Sequence, residues 1–191
     1  KECKQNSIFV DIYESPYNQI NQEIIDENSS LKSFSPDITF LLINNDFIFK
    51  NGEIEIIKDK NERIKIFNEC TNHFENLINA FISNISGTLV VSNLKQNTYS
   101  PIGINEDKVE FSPNDWSVLF NNQIKNSFIK NDKIRIYDFN SLFVKFGERN
   151  IINSKLRYLG DIYVSPKYME YLAMDLMGYV KPFSSKNRKC I

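Results

Sequence analysis

The stretch Pro36-Asp37-Ile38-Thr39-Phe40-Leu41-Leu42-Ile43-Asn44-Asn45-Asp46 limits the fold of this chain more than any other. It is an almost unbroken apolar run that follows a proline and stops at three polar residues, the pattern of a strand buried on both faces of a parallel sheet. Such a strand delivers its last residues to the sheet's carboxyl edge. In open α/β sheets that edge is where ligands bind, so Asn44, Asn45 and Asp46 are the first candidates for a polar pocket.

The remaining chain supplies elements that fit around this strand. Ser7 to Tyr13 is rich in β-branched and aromatic residues and predicts a strand, and Tyr17 to Asp26 predicts a short helix. Phe47 to Ile57 contains Asn51-Gly52 between alternating segments, the signal of a small β-hairpin. Asp59 to Ser86 predicts the longest helix, with Ile64, Phe67, Cys70, Phe74, Leu77, Ile78, Phe81 and Ile82 as its apolar stripe. Gly87 to Asn93 follows as a second buried strand, which makes Asn93 the second edge candidate. Leu94 to Glu110 is long enough to be a functional cover.

Ser112-Pro113 predicts an N-cap with proline behind it, opening a helix whose buried face is Trp116, Leu119, Phe120, Ile124 and Phe128. Lys133 to Phe139 predicts a third strand, and Asn140 to Phe146 a short helix closed by Gly147. Ser165-Pro166 opens a last helix from Lys167 to Val180, with a stripe of Tyr168, Tyr171, Leu172, Asp175 and Leu176. Pro182 to Lys189 is expected to be a polar linker. Alternating strands and helices predict a three-layer α/β fold with a mainly parallel sheet and one small β-hairpin insertion. The expected division is one domain over 1–180, with 181–191 leading into a following domain.

The totals exclude several function classes. With 23 basic and 24 acidic residues the net charge is -1, which lacks the basic excess of a nucleic-acid surface. Cys3, Cys70 and Cys190 are odd in number and far apart, which favours a reducing, cytoplasmic setting over a disulfide framework. No run approaches the roughly 18 apolar residues of a membrane span, and no signal peptide is expected. The first residue is Lys1, so the chain is expected to be a piece of something longer, shortened at its amino end.

The Pro36 strand resembles a block of the SGNH, or GDSL-type, hydrolases, in which Gly-x-Asn-Asp ends a strand and the asparagine donates to the oxyanion hole. Ile43-Asn44-Asn45-Asp46 keeps the Asn-Asp pair and replaces the glycine by isoleucine. The last block of that superfamily is Asp-x-x-His. Asp161-Ile162-Tyr163-Val164 keeps the aspartate, and valine stands where the base would be.

Across nearly the whole chain the resemblance is closer to the amino-terminal domain of FkbH-like proteins, of the HAD superfamily, subfamily IIIC. It is carried by Tyr17-Asn18-Gln19, Gln22-Glu23-Ile24-Ile25-Asp26, Ser35-Pro36-Asp37, Arg157-Tyr158-Leu159-Gly160 with Ser165-Pro166, and Arg188-Lys189-Cys190-Ile191. The resemblance implies an SGNH-like, flavodoxin-like fold and a following HAD domain that uses Mg, with no cofactor in this segment. It also implies phosphatase or glyceryl-transferase-type chemistry, in some members toward an acyl carrier protein.

A serine hydrolase needs a nucleophile, a base and oxyanion donors. The single histidine, His73, sits mid-helix and at no strand's carboxyl end. Glu69 and His73 have the spacing of a metal pair but lack a third ligand nearby, so neither a catalytic nor a metal set is assigned. Asn44, Asn45, Asp46, Asn93 and Asp161 are the candidate pocket. For Asn45 and Asp46 the alternative is to cap backbone groups where the strand ends, and for Asp161 to cap the final helix or pair with Arg157. The expected function is a degenerate, non-catalytic scaffold or docking module. The long loop and the Asn51-Gly52 ribbon are the elements expected to touch a partner. The alternative is an active esterase or acyl transferase whose nucleophile lies upstream of residue 1.

Overall fold

The computed structural model describes residues 2–50, 52–160 and 162–184. In chain order the helices are α1 (Glu2–Gln5), α2 (Ile20–Ile25), α3 (Ser30–Phe34), α4 (Asn45–Ile48), α5 (Lys60–Asn84), α6 (Trp116–Phe128), α7 (Asn140–Phe146), α8 (Glu148–Ile151), α9 (Ser154–Gly160) and α10 (Met169–Ser184). The strands are β1 (Ile38–Leu41), β2 (Thr88–Ser92) and β3 (Ile134–Tyr137). Two compact units result: Ser15–Asn140, and Lys1–Glu14 with Ser141–Ile191.

The first unit holds an open sheet of order β1-β2-β3, all parallel, with Leu41 opposite Val91 and Val91 opposite Ile136. This is the α/β fold that the alternation of apolar runs and helical stripes predicts. The central strand β2 is the fully buried one, through Leu89, Val90 and Val91. In β1 only Leu41 is buried, and Ile38, Thr39 and Phe40 are half-buried. The Pro36 run is therefore a sheet edge among the described residues, and its unbroken apolarity overstates its burial. Asp59 caps α5 by accepting from the Glu62 N–H, and α5 buries Phe67, Phe74, Leu77, Ile78 and Phe81 as its spacing requires.

The expected hairpin does not form. Asn44 Oδ1 accepts from the Phe47 N–H at 2.8 Å and starts α4, and Gly52–Ile57 is a 3₁₀ helix. The reason is burial of neighbouring side chains. Ile48 and Phe49 are both buried, whereas a two-faced ribbon would send one of them to solvent. Phe49 stacks on Phe67 at 5.7 Å and packs against Trp116 and Phe120 at 5.1 and 5.8 Å, and Phe47 meets Phe74 edge-on at 6.5 Å. Aromatic pairs contribute about 0.5–1.5 kcal/mol each beyond area burial, which outweighs the local turn preference of Asn-Gly. In α6 the turn buries Trp116, Ser117, Phe120, Ile124 and Phe128, and the expected core residue Leu119 is instead 37% exposed.

In the second unit Ser7 to Tyr13 is not a strand. Phe9 is 100% exposed there, because strand propensity forms no strand without a partner to accept its hydrogen bonds. Gly147, at φ 81°, ends α7 by donating to the Phe143 carbonyl at 2.8 Å. Helix α1 packs on α10, and the Cys3 thiol donates to Met177 Sδ at 3.5 Å. Leu172 and Met177 are buried in α10, and Tyr171 stands half out and packs on Phe146 at 4.6 Å. A 3₁₀ turn, Pro166–Tyr168, precedes α10, which carries Pro182 and runs to Ser184, past its expected end at Val180. Arg188-Lys189-Cys190-Ile191 lies outside the described residues.

Candidate functional site

Where β1 ends, the Ser92 hydroxyl takes over from the strand ladder. It accepts from the Ile43 N–H at 2.8 Å and donates to the Ile43 carbonyl at 3.2 Å, in the core. Ile43 and Ser92 thereby fix the position from which Asn44, Asn45 and Asp46 leave the sheet. Asn44 is committed to capping α4. Asn45 Nδ2 donates to the Lys95 carbonyl at 3.1 Å and to Asn97 Oδ1 at 2.9 Å. Asp46 is exposed in the first turn of α4.

Asn93 serves a different junction. Its Nδ2 donates to Asp138 Oδ1 at 2.7 Å, and its Oδ1 accepts from the Asn140 N–H at 2.9 Å. The two edge asparagines thus hold separate seams: Asn45 joins the exits of β1 and β2, and Asn93 joins the exits of β2 and β3. Asp161 lies outside the described residues. Val164, at the position where the hydrolase resemblance expects a base, is buried in the second unit.

A cavity of about 40 Å³ opens beside Asn45, lined by Asn45, Phe49, Gly52, Asn97, Pro113, Trp116 and Ser117. A smaller space of about 10 Å³ shares Asn97 and Pro113 with it and reaches Tyr99 and Asn114. The wall is built by the start of α6. Ser112 Oγ accepts from the Asn114 N–H at 3.1 Å, as its place before Pro113 predicts, and the helix then begins with Trp116 and Ser117, each 1% exposed. The long loop is fixed to this point because the Glu106 carboxylate accepts from the hydroxyls of both Ser100 and Ser112. Four side-chain atoms around the two spaces are buried without a hydrogen-bond partner: Asn45 Oδ1, Trp116 Nε1, Ser117 Oγ and Asn114 Oδ1. Sequence patterning assigns Trp116 to the core and gives Asn97 and Ser117 no role. The only sequence signal for Ser117 is a hydroxyl on the apolar face of α6.

His73 is exposed on α5. Among the described residues no three His, Cys, Asp or Glu side chains come together as a metal site, and no helix is long and apolar enough to cross a membrane. Lys60 hydrogen-bonds the exposed Glu110 carboxyl and holds it below its usual range. Burial, with the Glu69 and Glu55 carboxylates beside it, pushes the half-buried Cys70 thiol up. Since the thiolate is the nucleophile, Cys70 in the folded protein is expected to react with iodoacetamide at pH 8 about tenfold more slowly than in urea. Mass spectrometry of timed samples measures this, and equal rates would show that the environment of Cys70 does not protect it.

Residues 2–181 match the family described as FkbH, N-terminal domain. The chain belongs to this family. No curated protein matches it significantly. This FkbH N-terminal domain is similar in fold to the crystal structure of the N-terminal part of the protein BF1531 from Bacteroides fragilis, described as containing a phosphatase domain complexed with Mg. The TM-score is 0.82 at 16% identity, over 99% of this chain and 48% of that one, so the FkbH N-terminal domain spans about half the length of its structural neighbour.

Proposed function

We propose that this FkbH N-terminal domain is a hydrolase-like scaffold without a complete catalytic set, supporting or docking substrate for a following HAD-type domain. The observation that carries this reading is the engagement of Asn45. A side-chain amide has two N–H donors, and the Lys95 carbonyl and Asn97 Oδ1 take both. Rotating the amide would set Oδ1 against the Lys95 carbonyl, so the orientation is held. An oxyanion hole needs donors aimed at developing negative charge, and Asn45 has none to spare. The exposed His73 and the buried Val164 support the same reading, because neither is a base placed beside this edge.

Chemistry then belongs to the following domain, of phosphatase or glyceryl-transferase type, where Mg would be held. The fold neighbour, whose crystal structure is described as containing a phosphatase domain with Mg, supports this arrangement. The long loop presents Tyr99 and Ile104 to solvent, which suits contact with that domain or with an acyl carrier protein.

The test is hydrolysis of short p-nitrophenyl esters by the parent protein and its Asn45→Ala variant. Both are expected to stay at the buffer rate. Turnover that collapses in the variant would establish an active esterase and end the scaffold reading.

A further inference from the structure

Helix α10 carries apolar residues on the side it turns to solvent. At about 100° per residue, Tyr171, Met174, Gly178 and Pro182 fall on one narrow face, spaced three, four and four apart as in the seam between two packed helices. All four are exposed, Tyr171 at 47% and Met174 at 56%. The buried Leu172 and Met177 lie on other sides of the helix. Glu170 and Lys181 flank the face on one edge and Asp175 on the other. Phe146 supports the Tyr171 ring at 4.6 Å, and a Cβ built on Gly178 would meet nothing within 4 Å. Apolar residues gathered on one exposed face and rimmed by charge mark an interaction surface.

We infer that this face of α10 is the docking surface for the HAD-type domain that follows, which lays an apolar element along Tyr171 and Met174 and comes closest at Gly178. The inference rests on the reading that such a domain follows, and it adds the surface that receives it. The size of the face selects the occupant. A stable complex of separate molecules takes about 20–30 residues a side, and a four-residue seam falls far short of holding a second copy of this chain. A domain joined just beyond α10, as the expected boundary at residue 181 places it, meets the face at an effective concentration on the order of millimolar, where a small seam suffices. The fold neighbour, of which this chain spans 48% and which is described as containing a phosphatase domain, supports such an arrangement.

Met174→Cys tests the surface, because position 174 is exposed and the change is small. The thiol is labelled with iodoacetamide in this 191-residue chain and in the full-length parent protein. Mass spectrometry follows its peptide separately from those of Cys3, Cys70 and Cys190. The parent is expected to label at least about tenfold more slowly, the protection given by a domain docked about nine-tenths of the time. Ile129→Cys, at a position 67% exposed in the first unit, is expected to label equally in both proteins. Adding Gly178→Glu to the Met174→Cys parent is expected to restore the rate of the 191-residue chain, since docking would strip water from the new charge.

Equal labelling of Met174→Cys in the two proteins would overturn the inference, as would equal slowing at Ile129→Cys or protection that survives Gly178→Glu. Protection that grows with the concentration of the 191-residue chain would make a second copy the occupant and overturn it too. The reading beneath fails on other readouts. Ester turnover ends the scaffold reading and leaves the labelling rates as they are, whereas a parent whose mass has no room for a second domain ends both.

Discussion

Gly87→Ala is expected to destabilise the first unit by about 3–5 kcal/mol, the range of strain plus overlap at a special backbone site. Gly87 has φ +84°, and a Cβ built on it would lie 2.2 Å from the Pro36 carbonyl oxygen and 2.6 Å from that of Asp37. Both obstacles are backbone, so no rotamer change can relieve them. The next residue, Thr88, donates its N–H to Asp37 O at 2.9 Å and opens the β1–β2 pairing. An added methyl would push the strands apart where they first meet, and the junction of Ser92 with Ile43 lies at the far end of the same pair. Urea unfolding followed by circular dichroism measures the loss; a change under about 1 kcal/mol would show that the approach of the two backbones relaxes freely.

Arg63→Met is expected to cost about 2–4 kcal/mol, from charge-assisted hydrogen bonds of about 1.5–3 kcal/mol each, partly compensated by water. Arg63 is 7% exposed, and its guanidinium is surrounded by carbonyls. It donates to Phe111 O at 3.1 Å, to Glu110 O at 2.7 Å, to Ile56 O at 3.5 Å and to Lys58 O. One side chain thus ties the exit of the 3₁₀ turn to the end of the long loop, just before the Ser112 cap. It also holds Phe111, which sits at φ +53°, a position that strains a bulky residue.

Methionine keeps the apolar stem and removes every donor. Arg63→Lys is expected to recover only part of the loss, because a single ammonium cannot span carbonyls that a planar fork reaches together. Thermal unfolding gives the stability, and the Trp116 indole signal reports whether the loop has moved away from α6. Full stability in Arg63→Met would show that solvent replaces the fork.

What could be read from the residues depended on the range over which the signal acts. Apolar periodicity is local, so the stripe of α5, the cap at Ser112 and the runs that become β1, β2 and β3 were legible without a structure. The family was legible too, because the order of its short motifs survives along the chain. The Asn44-Asn45-Asp46 corner was recognisable as a polar strand end, yet which partners it takes was not. Asn45 meets Lys95 and Asn97, 50 and 52 residues away, and no spacing rule connects them.

The failures have the same cause in reverse. Asn51-Gly52 and Ser7 to Tyr13 carry strong local preferences worth about 1 kcal/mol or less. Packing of Phe47, Ile48 and Phe49 into the aromatic cluster overrode the first, and lack of a strand partner overrode the second. By itself, then, the sequence determined the α/β class, the family and the edge at which polar residues collect, because those follow from patterns within one element. Only the tertiary structure decided that both amide protons of Asn45 are engaged, and that Trp116 and Ser117 line a cavity beside it. Hydrogen-bond satisfaction depends on atoms brought together from distant parts of the chain, and it exists only once the chain has folded.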